Sequence, residues 1–164
     1  MAADGAVIVC TLPPPSAGQR KSFAFDGASA LNATNAKDRA TLKKAERFVR
    51  AFVSGSNVLP DVPVTLPSGT DFQRSVWRQL LRIPAGSTVT YAEMAARAGY
   101  PRACRAAGQA CGANPIPLFI PCHRVLAANG RLGGFSGGLA WKRLLLTVEG
   151  VSFREATTTA RRDA

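Results

Sequence analysis

Two short patterns determine where helices begin in the second half of this 164-residue chain. Thr70 is followed three residues later by Gln73, and Thr90 is followed by Glu93. In such a capping box, the hydroxyl and the carboxamide or carboxylate satisfy backbone N–H groups that the first turn of a helix leaves without partners. The sequence therefore predicts two helices that start beside Thr70 and Thr90.

Apolar spacing extends the first of these helices and adds another at the end of the chain. The first helix carries Phe72, Val76 and Leu80 on one face. It is expected to stop before Pro84, since the residue before a proline disfavours helical geometry. The segment "LAWKRLLLTVEG" predicts a last helix. Its inward residues are Trp141, Leu145 and Val148.

The helix after Thr90 is predicted to be short and to end at Gly99, after which Pro101 opens a third helix over "PRACRAAGQACGAN". A short helix, a glycine turn and a second helix are typical of a helix-turn-helix. A plain helical hairpin fits the same spacing equally well. The segment "LFIPCHRVL" then predicts an extended strand, and Asn129-Gly130 a hairpin-type turn.

The first part of the chain predicts a small unit of strands and one helix. "AVIVC" and "KSFAFD" are typical of short strands, and "KDRATLKKAERFVRAFVSG" has helical spacing up to Gly55. The proline-rich "LPDVPVTLPSG" is the best candidate for a linker. We therefore expect one domain over residues 1–67, a second over 68–154 and a disordered tail over 155–164. The apolar face of the helix comprises Leu42, Ala45, Phe48, Val49 and Phe52.

The charge of the chain predicts an anionic partner. Lys and Arg number 21 against 10 Asp and Glu, so the formal net charge is +11. Such an excess concentrates polyanions, and nucleic acid is favoured over membrane because no amphipathic Lys-rich helix is evident. No apolar run reaches the ~18 residues of a membrane span, and "MAADGAVIVCTLPPP" lacks the basic start of a signal peptide. We expect an intracellular protein, in the nucleus if eukaryotic and otherwise in the cytoplasm.

The predicted third helix is built largely from small residues, with Arg102 and Arg105 projecting from it. Small side chains suit tight packing between helices. Glycine, however, costs about 1 kcal/mol inside a helix, so packing alone would favour alanine. Together with the positive charge of the chain, the glycines therefore favour a helix that approaches a phosphate backbone closely. The small residues are Ala103, Ala106, Ala107, Gly108, Ala110 and Gly112.

Four cysteines lack the spacing of a disulfide framework. They are Cys10, Cys104, Cys111 and Cys122. A zinc site would have to combine the last three with His123, which is not the spacing of a finger or ribbon. We therefore expect no metal and no cofactor.

Cys122 stands directly before His123, the only histidine of the chain. Free cysteine is commonly a buried space filler, yet a nearby imidazole oriented by a carboxylate is the usual means of lowering the pKa of a thiol and making it a nucleophile. Adjacent side chains on a strand point apart, so contact between them would need a bridging water. We expect the orienting carboxylate to be Glu149, because acidic residues are otherwise scarce after residue 71.

Residues 70 to 150 resemble the C-terminal domain of O6-alkylguanine-DNA alkyltransferases. The resemblance rests on "STVTYAEMAARAGYPRACRAAGQACGANP", "NPIPLFIPCHRVL" and "GGFSGGLAWKRLLLTVEG". It implies an α+β fold, with a small N-terminal ribonuclease-H-like unit of strands and helix and a C-terminal winged helix-turn-helix domain. It also implies DNA repair by a single-turnover transfer of an alkyl group from O6-alkylguanine in double-stranded DNA to the protein. We expect a monomer, and leave O4-alkylthymine open as a second lesion.

The resemblance assigns catalytic roles to five residues. Cys122 matches the alkyl acceptor, His123 its water-relayed base and Glu149 the carboxylate that orients the base. Asn114 matches the asparagine that braces the active-site turn. Tyr91 matches the tyrosine that crowds a phosphate and donates to a guanine ring nitrogen as the leaving group departs.

The resemblance also implies a DNA surface, whose recognition helix enters the minor groove. Arg105 matches the arginine finger that fills the stack where the damaged base flips out. Further expected DNA contacts are Tyr91, Arg102, Ala106, Gly108 and Arg124. The base pocket is expected to comprise Val125, Phe135, Ser136 and Gly137.

Two positions depart from the pattern of this family. Phe135 stands where many members carry tyrosine, so a hydroxyl contact to the base is lost. Some members hold zinc in the N-terminal domain, whereas this chain offers only Cys10 there and no histidine before residue 123.

Two other functions explain part of the sequence. A winged-helix regulator with an inert cysteine accounts for the charge and the helices, but not for Pro-Cys-His-Arg. A cysteine hydrolase that uses Cys122, His123 and Asn114 accounts for the thiol, but not for the basic chain or Arg105.

Overall fold

The computed structural model describes residues 2–3, 6–7, 36–56 and 61–155. They form α-helices and two small two-stranded sheets, as a mixed α and β fold requires. In chain order the elements are β1 Ala2–Ala3, β2 Ala6–Val7, α1 Ala36–Val53, α2 Asp71–Leu80, β3 Val89–Thr90, α3 Tyr91–Arg97, α4 Cys104–Gly112, a 3₁₀ turn Cys122–Arg124, β4 Val125–Leu126, a 3₁₀ turn Ala128–Gly130 and α5 Leu139–Val148. No helix in the described ranges is long and apolar enough to cross a membrane.

Both predicted capping boxes are confirmed. The Thr70 hydroxyl accepts from the backbone N–H of Gln73 at 3.2 Å, and the Gln73 carboxamide accepts from Thr70 N at 2.9 Å. Thr90 and Glu93 repeat the arrangement at 3.1 and 2.6 Å. These contacts set the first residues of α2 and α3, and they orient Tyr91 at the start of α3.

The turn after α3 follows the sequence prediction only in part. Gly99 has a φ of +91°, the left-handed conformation expected of a glycine that ends a helix. The next helix, however, begins at Cys104 and not at Pro101. The reason is the reversal of the chain: Ala103 N donates to Tyr100 O at 2.9 Å, which closes a turn before α4 can begin.

The segment predicted as an extended strand is mostly not a strand. Cys122–Arg124 form a 3₁₀ turn, in which Arg124 N donates to Pro121 O at 3.1 Å. Only Val125–Leu126 are extended, and they pair in parallel with Val89–Thr90. The Asn114 side chain imposes this bend, because its amide donates to Ile120 O at 2.8 Å just before the turn.

The Asn129-Gly130 turn is confirmed by its backbone angles. The two residues have φ values of 60° and 74°, the left-handed conformation that hairpin turns require at both central positions. Ala127 N donates to Arg131 O at 2.7 Å across this turn.

Helix α1 shares one apolar core with the second half of the chain. The ring centroids of Phe48 and Phe119 lie 5.4 Å apart, and Val62, from the segment predicted as a linker, is buried in the same cluster. The apolar face of α1 is buried as expected except at Leu42, which is half-buried. The predicted strand "KSFAFD" lies outside the described residues, and of "AVIVC" only Ala6–Val7 are described, paired antiparallel with Ala2–Ala3.

Helix α5 packs into the core as its spacing predicts. Trp141 and Leu145 are buried and Val148 is half-buried. Just beyond this helix Glu155 accepts from Arg143 at 2.7 Å, while residues 156–164 of the predicted tail lie outside the described part.

Candidate active site

A cavity of about 580 Å³ opens between α4, the start of α3 and the glycine-rich loop before α5. Cys122 lies in its wall, although only 3% of this residue is exposed. The residues that line the cavity are Tyr91, Arg105, Gly108, Gln109, Cys111, Gly112, Cys122, Gly134, Phe135 and Ser136.

Asn114 holds both the turn and the thiol. Its Nδ2 donates to Cys122 Sγ at 3.2 Å and to Ile120 O at 2.8 Å, while its Oδ1 accepts from Ile116 N at 3.1 Å. Both polar atoms of the Asn114 side chain are therefore hydrogen-bonded to the segment between residues 116 and 122. This arrangement fixes the position of the sulfur relative to the cavity.

The residue after the thiol, His123, pairs through its imidazole with the carboxylate of Glu149. The distance from His123 Nε2 to Glu149 Oε1 is 3.1 Å, and both side chains are fully buried. Burial alone would raise the pKa of Glu149, but hydrogen bonds from His123 and Arg124 lower it to about 2. Because an ionised carboxylate only accepts, Nε2 carries the hydrogen and Nδ1 keeps its lone pair. That buried Nδ1 has no hydrogen-bond partner in the described part of the chain.

The electrostatics of this pair suit a neutral base. Burial lowers the pKa of His123, and the partly compensating effect of Glu149 raises it. The imidazole is therefore uncharged at neutral pH and able to take a proton on Nδ1.

Arg124 is buried in an ion pair, which does not fit its predicted role as a DNA contact. Its Nε donates to both oxygens of Glu149 at 3.0 Å, its Nη2 donates to Glu149 Oε1 at 2.6 Å, and its Nη1 donates to Ile83 O at 2.6 Å. Only 9% of the residue is exposed. The guanidinium is thus part of a buried ion pair with Glu149. Without it, the carboxylate of Glu149 would be buried without a counter-ion, which is costly.

The resting state of Cys122 also differs from the expectation that the imidazole lowers its pKa. Burial raises the pKa of this thiol, while the hydrogen bond from Asn114 and the positive charge of Lys142 lower it. The thiol is protonated at rest, so its activation requires removal of the proton at the moment of reaction.

Lys142 is a buried cation that the sequence analysis missed. Its ammonium donates to Val125 O at 2.6 Å and to Gly134 O at 3.1 Å, and it lies 5.7 Å from the centroid of the Tyr91 ring. Burial lowers its pKa to about 8. The sequence does contain a signal for this: Lys142 lies on the apolar face of α5, which packs into the core. A lysine is rarely buried unless its ammonium has partners, so this position predicts a paired, buried lysine.

Tyr91 lies at the opening of the cavity, at the N-terminus of α3. Its hydroxyl donates to Gly134 O at 3.2 Å, and burial raises its pKa to about 12. The ring lies against Gly133, where a built Cβ would approach Tyr91 Cε2 to 2.8 Å. Glycine at position 133 therefore allows the loop to approach the tyrosine.

The small residues of α4 divide between two uses. Ala107 and Ala110 are buried against the core, which is the packing role, whereas Gly108 lines the cavity and Ala106 is half-buried. Arg102 and Arg105 are exposed, and of these Arg105 lines the cavity.

The predicted base pocket is brought together only in part. Phe135 and Ser136 line the cavity, whereas Val125 and Gly137 do not. The side chain of Val125 is fully buried in the sheet with Val89, and its carbonyl oxygen is held by Lys142.

Comparisons with known proteins identify the family. Residues 71–151 match the family model of the 6-O-methylguanine DNA methyltransferase, DNA binding domain. A methylated-DNA--protein-cysteine methyltransferase of Methanosarcina acetivorans is 46% identical over 108 residues, which cover 66% of this chain and 69% of that protein. The chain belongs to the 6-O-methylguanine DNA methyltransferase family.

Other members of the 6-O-methylguanine DNA methyltransferase family extend the comparison to solved structures. The methylated-DNA--protein-cysteine methyltransferase of Mycobacterium tuberculosis is 48% identical over 101 residues, covering 62% of this chain and 61% of that protein. The crystal structure of Mycobacterium tuberculosis OGT in complex with DNA superposes with a TM-score of 0.62 at 45% identity, over 65% of this chain and 66% of that one. The chain thus spans about two thirds of the length of these relatives.

Proposed function

We propose that this protein repairs DNA by transferring an alkyl group from O6-alkylguanine in a duplex to Cys122. It is thereby a methylated-DNA–protein-cysteine S-methyltransferase that acts once per molecule. The observation that carries the proposal is the cavity wall, in which Asn114 holds the Cys122 sulfur at 3.2 Å and the next residue, His123, forms a buried pair with Glu149. The DNA-bound relative and the names of the curated relatives support the same activity.

The reaction begins with a proton transfer. A water between the two groups passes the Cys122 thiol proton to Nδ1 of His123, and Glu149 stabilises the resulting imidazolium. The thiolate then attacks the methyl carbon in line with the bond to O6. A sulfur–carbon bond forms, the carbon–oxygen bond breaks, and its electron pair moves to the guanine. A ring nitrogen of the guanine takes a proton from the Tyr91 hydroxyl, and the proton held by His123 balances the charge of the resulting tyrosinate. The product thioether is stable, so the protein is consumed.

Tyr91, Arg105 and α4 bring the damaged base to the thiol. In this proposal α4 enters the minor groove, where Gly108 and Ala106 permit close approach and Arg102 contacts the backbone. Arg105 occupies the gap that the flipped base leaves. The Tyr91 hydroxyl gives up its hydrogen bond to Gly134 O and donates to a ring nitrogen of the guanine instead. Phe135 and Ser136 contact the base in the cavity, whereas Arg124, buried against Glu149, does not contact the DNA.

The finer architecture belongs to the same proposal. Helices α2 to α4 with the short parallel strands are consistent with a winged helix-turn-helix over residues 68–154. A ribonuclease-H-like arrangement over residues 1–67 stays a prediction, as does the monomeric state.

A duplex with a radiolabelled O6-methyl group tests the proposal against both rival functions. Label should move onto the parent protein and onto Cys111→Ser, but not onto Cys122→Ser, which should still bind the lesion. Cys111 is the matched control because its thiol lines the same cavity. Label that stays on the DNA would support a regulator, and release as methanol would support a hydrolase. Label on the Cys122→Ser protein would assign the acceptor role to another residue.

A further inference from the structure

The exposed face of α2 carries three arginines that the alkyl-transfer site does not use. Arg74 and Arg78 lie on this helix, and Arg82 follows its last turn. All three are exposed, and the interval of four residues places them on one side, opposite the buried face. From the first to the last they span about 12 Å along the helix axis.

These arginines are not neutralised by the fold. None of them forms an ion pair or a side-chain hydrogen bond with any residue in the described ranges. Of the carboxylates described between residues 61 and 155, only that of Asp71, in the first turn of α2, is not engaged elsewhere. The engaged carboxylates are Asp61 with Lys44, Glu93 with Thr90, Glu149 with Arg124 and Glu155 with Arg143. Asp71, three residues before Arg74, adds one exposed carboxylate to the same side of the helix, so the three arginines still leave this face with an excess of positive charge.

The arginine face of α2, defined by Arg74, Arg78 and Arg82, continues toward α4. The Ser75 hydroxyl donates to Ala98 O at 2.9 Å, which brings the end of α3 and its exposed Arg97 beside α2. The ring of Phe72 contacts that of Tyr100 edge-on, with centroids 4.9 Å apart. Tyr100 is 46% exposed and stands two residues before the exposed Arg102. Positive charge therefore runs from α2 across the turn to the start of α4.

We propose that the arginine face of α2 binds the phosphate backbone of the duplex that flanks the lesion. This inference rests on the proposed function, because it takes the same DNA as the partner. A 12 Å stretch covers three to four phosphates of one strand, at about 3.4 Å of axial rise each. Guanidinium groups suit this role because they bind phosphate through two parallel hydrogen bonds.

Salt dependence provides the test, because every phosphate contact releases counterions from DNA. We would measure the affinity of the parent and of two triple variants for a lesion-free duplex at a series of salt concentrations. The duplex must extend beyond the base pairs that α4 contacts, so that the arginine face of α2 can also reach the backbone. The control variant loses the same number of positive charges, three, from exposed positions of α1. The variants are Arg74→Gln with Arg78→Gln and Arg82→Gln, and Lys37→Gln with Lys43→Gln and Arg47→Gln.

The α2 variant should flatten the slope of log affinity against log salt by up to about 2.7, at roughly 0.9 for each lost contact. The α1 variant should keep the parent slope, and Arg78→Gln alone should remove about 0.9. A parental slope in the α2 variant, or the same loss in both triple variants, would overturn the proposal. Label transfer at low salt with protein in excess should be normal in all proteins. If the parent itself transfers no label, the proposed function fails while the slopes still decide this inference.

Discussion

Replacing Glu149 by glutamine would expose how much one buried carboxylate contributes to this fold. Its oxygens accept from His123 Nε2 at 3.1 Å, from Arg124 at 2.6 to 3.0 Å and from Gly86 N at 3.2 Å. Glutamine has nearly the same shape but carries no charge and only one acceptor oxygen. The substitution leaves the buried guanidinium of Arg124 without its counter-ion.

Two independent arguments give the magnitude of the loss. Removal of one partner from a buried ion pair typically costs 3–5 kcal/mol, roughly, because the other charge stays in a poor solvent. The pKa of Glu149 is lowered from 4.5 to about 2, and at about 1.36 kcal/mol per pH unit this corresponds to roughly 3 kcal/mol. We therefore expect Glu149→Gln to lower the free energy of unfolding at pH 7 by about 3–5 kcal/mol.

The pH dependence follows from the direction of this shift. Because the pKa of Glu149 is lower in the folded than in the unfolded protein, its stabilising effect is complete above pH 4.5 and is lost as the pH falls toward about 2. Urea unfolding of parent and variant should therefore differ most at pH 7, and the difference should shrink below pH 4.5.

Glu155→Gln is the matched control, since Glu155 also accepts two hydrogen bonds from an arginine, each at 2.7 Å, but in an exposed position. An exposed pair contributes little, so this variant should unfold almost as the parent does. Equal destabilisation by the two substitutions, or a difference for Glu149→Gln that stays constant from pH 7 to pH 3, would refute the reasoning.

Two further predictions concern the walls of the cavity. Gly133→Ala should destabilise the protein by more than about 1 kcal/mol, because position 133 has a φ of +64° and its Cβ would meet the Tyr91 ring at 2.8 Å; Gly134→Ala, where a Cβ meets nothing within 4 Å, should cost far less in thermal unfolding. Lys142→Met should raise the pKa of Cys122, because a nearby positive charge is lost. Mass-spectrometric alkylation of the Cys122 peptide should then shift to higher pH, and an unchanged pH profile would show that Lys142 does not act on the thiol.

Local sequence determined the elements whose stabilising contacts lie within a few residues. The capping boxes at Thr70 and Thr90, the left-handed Gly99 and the Asn129-Gly130 turn all depend on neighbours at most four positions away, so their patterns could be recognised directly. The Pro-Cys-His-Arg motif likewise identified the family, because the residue types themselves carry the resemblance.

The bend at Cys122 and the start of α4 could not be predicted in the same way. The apolar residues on both sides of Pro-Cys-His-Arg favoured a strand through Cys122, whereas the Asn114 amide eight positions away holds the chain in a turn. Likewise Pro101 is compatible with a first helical turn, but the reversal between α3 and α4 uses residues 100–103. In both places a tertiary requirement overrode the local preference.

Charge states and partners were decided by the tertiary structure alone. Arg124 meets Glu149 across 25 residues and Ile83 across 41, and Lys142 meets Val125 across 17. The apolar face of α5 could have indicated that Lys142 is buried, but the sequence does not name the partner of a buried arginine or lysine. Desolvation and partner charges act only once the chain is packed, and they keep the Cys122 thiol protonated and its histidine neutral.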